Sequence, residues 1–259
     1  KNLLLEDVKI LIESYPNLYQ KPIENLDSIE LFELKENLIK KLKMNKLNEI
    51  KNSILQNKDF ELNKVINRLE DDLQTITPQE LEYLTSIALI CVCDKESKII
   101  PNYKADIDGY PKSHAKAGSP DIECYLNKFN LICEVTKLNG RNQWYMESVP
   151  IQRHLSMFSI ENNDKDSYCI FIAPTIHDDG LWAIWCSVKY GYLENQYQKI
   201  IPLSFSDFII LLRHVNRSNN SENYLQNFLD NCLRIDSITN FEDWRTLIKD
   251  SIREIESNI

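Results

Sequence analysis

The sequence predicts an α/β fold: a mixed β-sheet core flanked by helices, with a helical extension at its N-terminus. Three observations lead there. Leu, Ile and Val recur at helical spacing through residues 1–75. A proline-capped helix opens at Thr77-Pro78. Beyond residue 120, short apolar runs alternate with longer helical stretches, the order expected of a sheet covered on both faces.

Taken in order, Leu3, Leu4, Val8, Ile10 and Leu11 share a helical period, as do Ile29, Leu31, Phe32, Leu34, Leu38, Ile39 and Leu42. Asp27-Ser28 stands where a cap belongs, and Pro16 and Pro22 punctuate the chain. The Lys- and Asn-rich stretch 35–51 reads as a solvated helix face, with a phosphate-facing surface as the alternative. Residues 62–73 give another helix, with Val65, Ile66 and Leu69 on its apolar side. Thr77 is the expected N-cap, Pro78 the first helical residue and Glu80 the third position of a capping box. That helix continues through Leu81, Leu84, Ile87, Ala88 and Ile90. Residues 94–118 are polar, carry Gly109, Pro111 and Gly118, and read as loop. Strands are expected at 129–135, 168–173 and 181–188, with a helix over 149–160 between the first two. Ser206-Asp207 is expected to cap a helix reaching Val215, and residues 221–259 are helical by period. The expected division is a helical extension over 1–75, acting as linker or association region, and a core with C-terminal helices over 76–259.

Composition removes several function classes. A chain of 259 residues, 43% hydrophobic, suffices for one large domain or a core with a helical annex. With 5 glycines and neither GxGxxG nor GxxxxGK[ST], it has no Gly-rich phosphate loop. No apolar run reaches the length of a membrane span, and no secretory signal opens the chain. The 7 cysteines lie mostly in apolar runs, as expected of reduced, buried thiols in a cytoplasmic protein. Cys91-Val92-Cys93 lacks a second pair or a His cluster, so two buried thiols are expected there rather than zinc. A net charge of −9 is unusual for a chain that grips phosphates by itself. Either the partner is not nucleic acid, or basic residues are locally concentrated, or another domain supplies the affinity. Lys1 in place of an initiator Met suggests a fragment or a processed chain.

The most informative pattern is Ser119-Pro120-Asp121 with Glu134-Val135-Thr136 downstream. The stretch between reads as strand, polar turn and buried strand, a hairpin that would set Asp121 and Glu134 side by side at one end of a sheet. Two carboxylates so placed suit a hard divalent cation, which takes oxygen ligands and serves hydrolysis. An ionised Glu134 at the end of an apolar strand needs a cation or a paired base; a salt bridge across the strand end is the alternative, as a plain Pro-Asp turn is for Asp121. Thr136 shares a face with Glu134 and suits either a supporting role or simple strand propensity.

Residues 120–155 resemble the catalytic core of the AlwI-type restriction endonucleases, a branch of the PD-(D/E)xK nucleases that includes type IIS and nicking enzymes. The resemblance rests on Pro120-Asp121, on Phe129-Asn130-Leu131 running into Glu134-Val135-Thr136, on Gly140 with Gln143, and on Glu147 followed by Pro150 and Arg153-His154-Leu155. The common nuclease motif has Lys two residues after the Glu; Thr136 stands there instead, as in this branch. Lys137 points to the opposite strand face and is not a replacement.

The resemblance implies a restriction-endonuclease-like fold and Mg²⁺-dependent cleavage of double-stranded DNA, with Mn²⁺ able to substitute. It implies catalytic roles for Asp121, Glu134, Glu147, His154, Thr136 and Gln143, and metal ligation by Asp121, Glu134 and Glu147. Nucleases of this class often add a Glu from a helix before the core, which points to Glu82, or else Glu80; both also simply favour the helix dipole. Arg153 and Arg141 are candidate phosphate contacts, with surface ion pairing as the alternative. Glu147 and His154 share a face if one helix holds both, although Pro150 suggests that the helix starts near 149. Glu123 reads as a strand-end surface residue, and His114 and His177-Asp178-Asp179 as loop residues. The implied partners are DNA and a DNA-recognition domain or larger subunit, with a transient dimer through the cleavage domain, in a prokaryotic cytoplasm. The rival expectation is a catalytically inactive, nuclease-like assembly domain.

Overall fold

The computed structural model describes residues 2–71, 73–106, 108–116, 118–193 and 197–257, excluding the side chains of residues 43 and 44. The chain divides into two compact units, Lys1–Ser53 with Ala105–Tyr110, and Ile54–Lys104 with Pro111–Ile259.

The first unit holds α1 (Asn2–Ser14) and most of α2 (Ser28–Gln56). Its core is Val8, Ile23, Leu31 and Leu38, with Leu4, Leu11, Leu18 and Leu34 packed against them. Asp27 caps α2 as expected: Oδ1 accepts from the Ile29 and Glu30 backbones at 2.7 and 2.8 Å, and Glu30 reaches back to the Asp27 N–H at 2.8 Å. The turn at Gly109 needs glycine twice over. Its φ is +87°, and a Cβ there would stand 2.7 Å from the Ile50 side chain.

The second unit comprises α3 (Lys58–Glu70), a 3₁₀ turn (Leu73–Thr75), α4 (Pro78–Val92), β1 (Lys98–Pro101), β2 (Tyr103–Ala105), β3 (Pro111–Ala115), β4 (Ile122–Tyr125), β5 (Asn130–Val135), α5 (Gly140–Glu161), β6 (Ser167–Ala173), α6 (Asp178–Tyr190), β7 (Ile200–Ser204), α7 (Phe205–Arg217), α8 (Ser221–Cys232) and α9 (Phe241–Ser257); Ala105 at the end of β2 is grouped with the first unit. Five strands form one mixed sheet in the order β1-β4-β5-β6-β7. The β1/β4 and β4/β5 pairs are antiparallel, while β5/β6 and β6/β7 are parallel. Every residue of β5 and β6 is buried, as a doubly covered sheet requires. The fold is therefore the mixed α/β core that the sequence leads one to expect. All seven thiols are free; Cys186 is half-buried and the others are buried.

Five local expectations are corrected. Residues 181–188 are helical, not a strand. His177 caps α6 by accepting from the Asp179 N–H, and Leu181, Ile184, Trp185 and Val188 bury one helical stripe. The sheet's remaining parallel strand is β7, a short run opened by Ile200-Ile201. Residues 94–118 are not wholly loop: β1 pairs with β4, and β2 with β3. The β3 segment, Pro-Lys-Ser-His-Ala, has no apolar alternation by which to recognise it. Helix α5 starts at Gly140, well before 149, and runs through Pro150. The carbonyl this proline deprives of a donor belongs to Met146, on an exposed face where water can serve it. Finally, α7 is capped by Ser204 with Asp207 in a full capping box, not by Ser206. At α4, Thr77 accepts from the Glu80 N–H, but the Glu80 carboxylate turns to Arg68 at 2.9 Å instead of closing the box.

Candidate active site

The β4/β5 hairpin sets the two acids together. Asp121 stands just before β4, and Glu134 is the penultimate residue of β5. Asp121 Oδ2 accepts from the Val135 N–H at 2.9 Å, and the Glu134 carboxylate accepts from the Asp121 backbone. This reciprocal exchange locks the carboxylates at one end of the sheet. Burial pushes Asp121 well above the usual carboxylate range, and neighbouring Glu134 pushes it further. Burial does the same to Glu134, with Glu147 and Glu82 adding to it and the Asp121 N–H opposing. Among the described residues no Lys or Arg pairs with either acid; the basic side chain that meets them is His154, at Glu134.

Two helices bring the remaining acids. Glu82, on α4, is 3% exposed. Its Oε1 bonds His114 Nδ1, on β3, at 2.5 Å, and its Oε2 is buried with no hydrogen-bond partner among the described residues. Burial raises its pKa, and His114 partly offsets that. Glu147, on α5, is also raised by burial; the Thr136 hydroxyl bonds it and works the other way. That hydroxyl accepts from the Leu138 N–H at 3.1 Å, so Thr136 clamps the end of β5 to the loop while steadying Glu147.

His154 lies two helical turns beyond Glu147 on α5, which confirms the shared face. Its Nδ1 meets Glu134 Oε1 at 2.7 Å, with both side chains buried, and its Nε2 is buried without a partner among the described residues. Burial lowers the pKa of His154, Arg153 lowers it further, and Asp121 and Glu147 oppose them. Burial thus disfavours the charged imidazole, whose Nδ1 faces Glu134 and whose Nε2 points away from it.

Other expected site residues lie elsewhere. Gln143 is 1% exposed and fully engaged: Nε2 donates to the Leu138 and Thr175 carbonyls at 3.0 and 2.7 Å, and Oε1 accepts from the His177 N–H at 2.9 Å. It braces the loops after β5 and β6 against the start of α6. Arg141 and Arg153 are exposed on α5. Lys137 donates to the carbonyls of Gln74 and Ile76, away from the acids. Glu123 is satisfied by Asn102 and Tyr125 at 2.9 and 2.7 Å. His114, expected in a loop and given no role there, lies on strand β3, and only that unrecognised strand links it to Glu82.

The donor set suits a hard cation. It offers carboxylate oxygens from Asp121, Glu134, Glu82 and Glu147, one of them a buried oxygen with no partner. As they stand, no three acidic, His or Cys side chains among the described residues close around one point that could hold a metal. Glu134 and Glu82 are turned to their histidines, and one Asp121 oxygen to Val135.

The model of the AlwI restriction endonuclease family matches residues 5–211. The chain belongs to the AlwI restriction endonuclease family. The matched range contains every acid of the cluster and both its histidines, whereas α8 and α9 lie beyond it. A solved structure shares the fold: the small subunit (R.BspD6I2) of the heterodimeric restriction endonuclease R.BspD6I, with a TM-score of 0.60 and 22% identity, covering 76% of this chain and 99% of that one. No curated protein sequence matches the chain. No helix among the described residues is long and apolar enough to cross a membrane.

Proposed function

We propose that this chain is a Mg²⁺-dependent endodeoxyribonuclease that hydrolyses DNA phosphodiester bonds, as the cleavage domain or subunit of a type IIS restriction or nicking enzyme. The observation that carries this reading is the reciprocally locked Asp121–Glu134 pair, facing Glu82 and Glu147, with no Lys or Arg among the described residues paired to Asp121 or Glu134. Placing four acids together costs stability, and a divalent cation relieves that cost. Asp121, Glu134, Glu82 and Glu147 would hold Mg²⁺, or Mn²⁺ in its place, and the ion would supply Lewis acidity beside the scissile phosphate. His154 accepts a proton at Nε2 while Glu134 holds its Nδ1, which orients the ring and stabilises the charge it gains. Thr136 keeps Glu147 aimed into the site and, standing where the commoner motif has Lys, leaves proton handling to His154. Gln143 fixes the loops that frame the site, and Arg141 and Arg153 are placed to meet backbone phosphates.

One site cuts one strand, so a double-strand break needs a second site, from a partner subunit or a transient second copy. That the similar small subunit comes from a heterodimeric enzyme supports a larger recognition subunit here. So does the charge of −9, because a tethered cleaver needs little affinity of its own. Residues 1–75 would then serve as linker or association region and 76–259 as the nuclease domain, in a prokaryotic cytoplasm.

The test is plasmid cleavage by the chain fused to a sequence-specific DNA-binding domain, with Mg²⁺, wild type against Asp121→Asn. Nicked product that requires both Mg²⁺ and Asp121 is expected. Intact plasmid with the wild-type fusion would refute the nuclease and leave the inactive assembly domain, which the Thr136 position favours.

A further inference from the structure

We propose that His114 is a positioning residue of this site: held by Gln79, it grips one oxygen of Glu82 so that the other is presented to the cation. The inference rests on the metal reading of the acid cluster and extends it beyond the acids.

Gln79 and Glu82 are three residues apart on α4 and so project from one face, close enough for a single ring on β3 to bridge them. Gln79 Nε2 lies 2.9 Å from His114 Nε2. An amide nitrogen only donates, so His114 Nε2 must accept, and the ring proton is left on Nδ1. From there it is given to Glu82 Oε1 at 2.5 Å. The order of donation is thus Gln79 to His114 to Glu82, with neither ring nitrogen unspent. The Glu82 oxygen beyond, Oε2, is buried and has no hydrogen-bond partner among the described residues.

Exposure separates this arrangement from a packing contact. The His114 side chain is 53% exposed while that of Glu82 is 4% exposed. A ring that fills no core yet is bonded at both nitrogens orients its partner. A carboxylate pinned at one oxygen loses its freedom to swing, which is how groups behind a ligand strengthen a metal site.

The test is Mn²⁺ titration of the full-length chain, without DNA, by calorimetry and by Mn²⁺ electron paramagnetic resonance. Wild type against Asp121→Asn identifies binding at the cluster. His114→Ala is expected to weaken that binding about 10-fold or more. His114→Asn, whose amide nitrogen can stand where Nδ1 stands, is expected to restore most of it. Thermal melting runs alongside: a merely structural histidine would lower Tm and leave the Mn²⁺ Kd unchanged. Equal Kd values for wild type and His114→Ala overturn the proposal, as does an Asn variant no better than Ala. If wild type and Asp121→Asn bind Mn²⁺ alike, the metal reading of the cluster itself has failed, and the role of His114 fails with it.

Discussion

Two histidine–carboxylate pairs flank the Asp121–Glu134 core, and they are built differently. His154 and Glu134 are both buried, and the far ring nitrogen, His154 Nε2, has no partner. In the second pair the acid is buried but the ring of His114 is half in solvent, and its far nitrogen is taken by Gln79. The contrast separates two uses of one side chain. An imidazole with a vacant inner nitrogen can take up a proton or touch substrate, whereas one bonded at both nitrogens can only hold its acid in place. The acids differ to match: Glu134 is locked through the Asp121 backbone, while Glu82 has a helix behind it and depends on His114 for orientation.

Removing Asp121 is expected to have the largest effect. Asp121→Asn is expected to reduce cleavage about 10³-fold, the equivalent of losing several kcal/mol of charge stabilisation at the phosphate. The same substitution is expected to raise Tm in metal-free buffer, because it relieves repulsion with Glu134. Calorimetric melts and plasmid nicking read the two effects in one sample series, and loss of activity with loss of Tm would contradict the trade.

His154→Ala should rank next, at about 10²-fold or more in cleavage rate with little change in Mg²⁺ requirement, as for a lost proton acceptor. It should also destabilise the fold by about 1–3 kcal/mol in urea titrations, because Glu134 Oε1 is left buried without its partner. His114→Ala should reverse that pattern, with the metal requirement raised and the rate at saturating Mg²⁺ mostly retained. Two variants with the same profile would erase the distinction between the pairs.

The acid cluster also sets a pH dependence. Asp121, Glu134, Glu147 and Glu82 all hold their protons above the usual carboxylate range when folded. The unfolded chain releases those protons first as pH rises, so their contribution to stability is full at acid pH and is lost as pH climbs through the raised values. The Tm advantage of Asp121→Asn over wild type in EDTA should therefore grow from about pH 4 upward, and saturating Mg²⁺ should shrink it. An advantage that stays flat across pH would show that Asp121 is not repelled in the folded chain. The smallest effect belongs to Thr136→Val, about 1 kcal/mol from the lost Leu138 bond, with Thr136→Ser close to wild type in urea titrations.

The sequence made one of the pairs legible and hid the other. Asp121 and Glu134 could be read because a hairpin carries them at a short separation, whereas Glu147 and His154 came from the family resemblance, Pro150 having pointed to a helix that starts between them. Seven residues is two turns, and α5 keeps that period through Pro150 because the freed carbonyl faces water. His114 could not be read, since β3 is a polar, proline-led strand in a two-stranded sheet, with nothing to mark it as strand or to pair it with α4. The sequence put Glu82 first and Glu80 second, and packing separates them: Arg68 draws Glu80 outward while Glu82 turns into the buried side of α4. The misreading of 181–188 has a related cause. A run of Leu, Trp, Ile and Val has high strand propensity, and only the His177 cap and the buried stripe that it shares with Trp185 mark a helix.

The most direct measurement is the position of Mn²⁺ in crystals of this chain soaked with the ion, located by anomalous scattering. A peak within ligand distance of Asp121 and Glu134, shared with the free oxygen of Glu82 or with Glu147, and absent in Asp121→Asn crystals, is the expected result. A fully soaked crystal with Mn²⁺ bound elsewhere and none within ligand distance of Asp121 or Glu134 would contradict it.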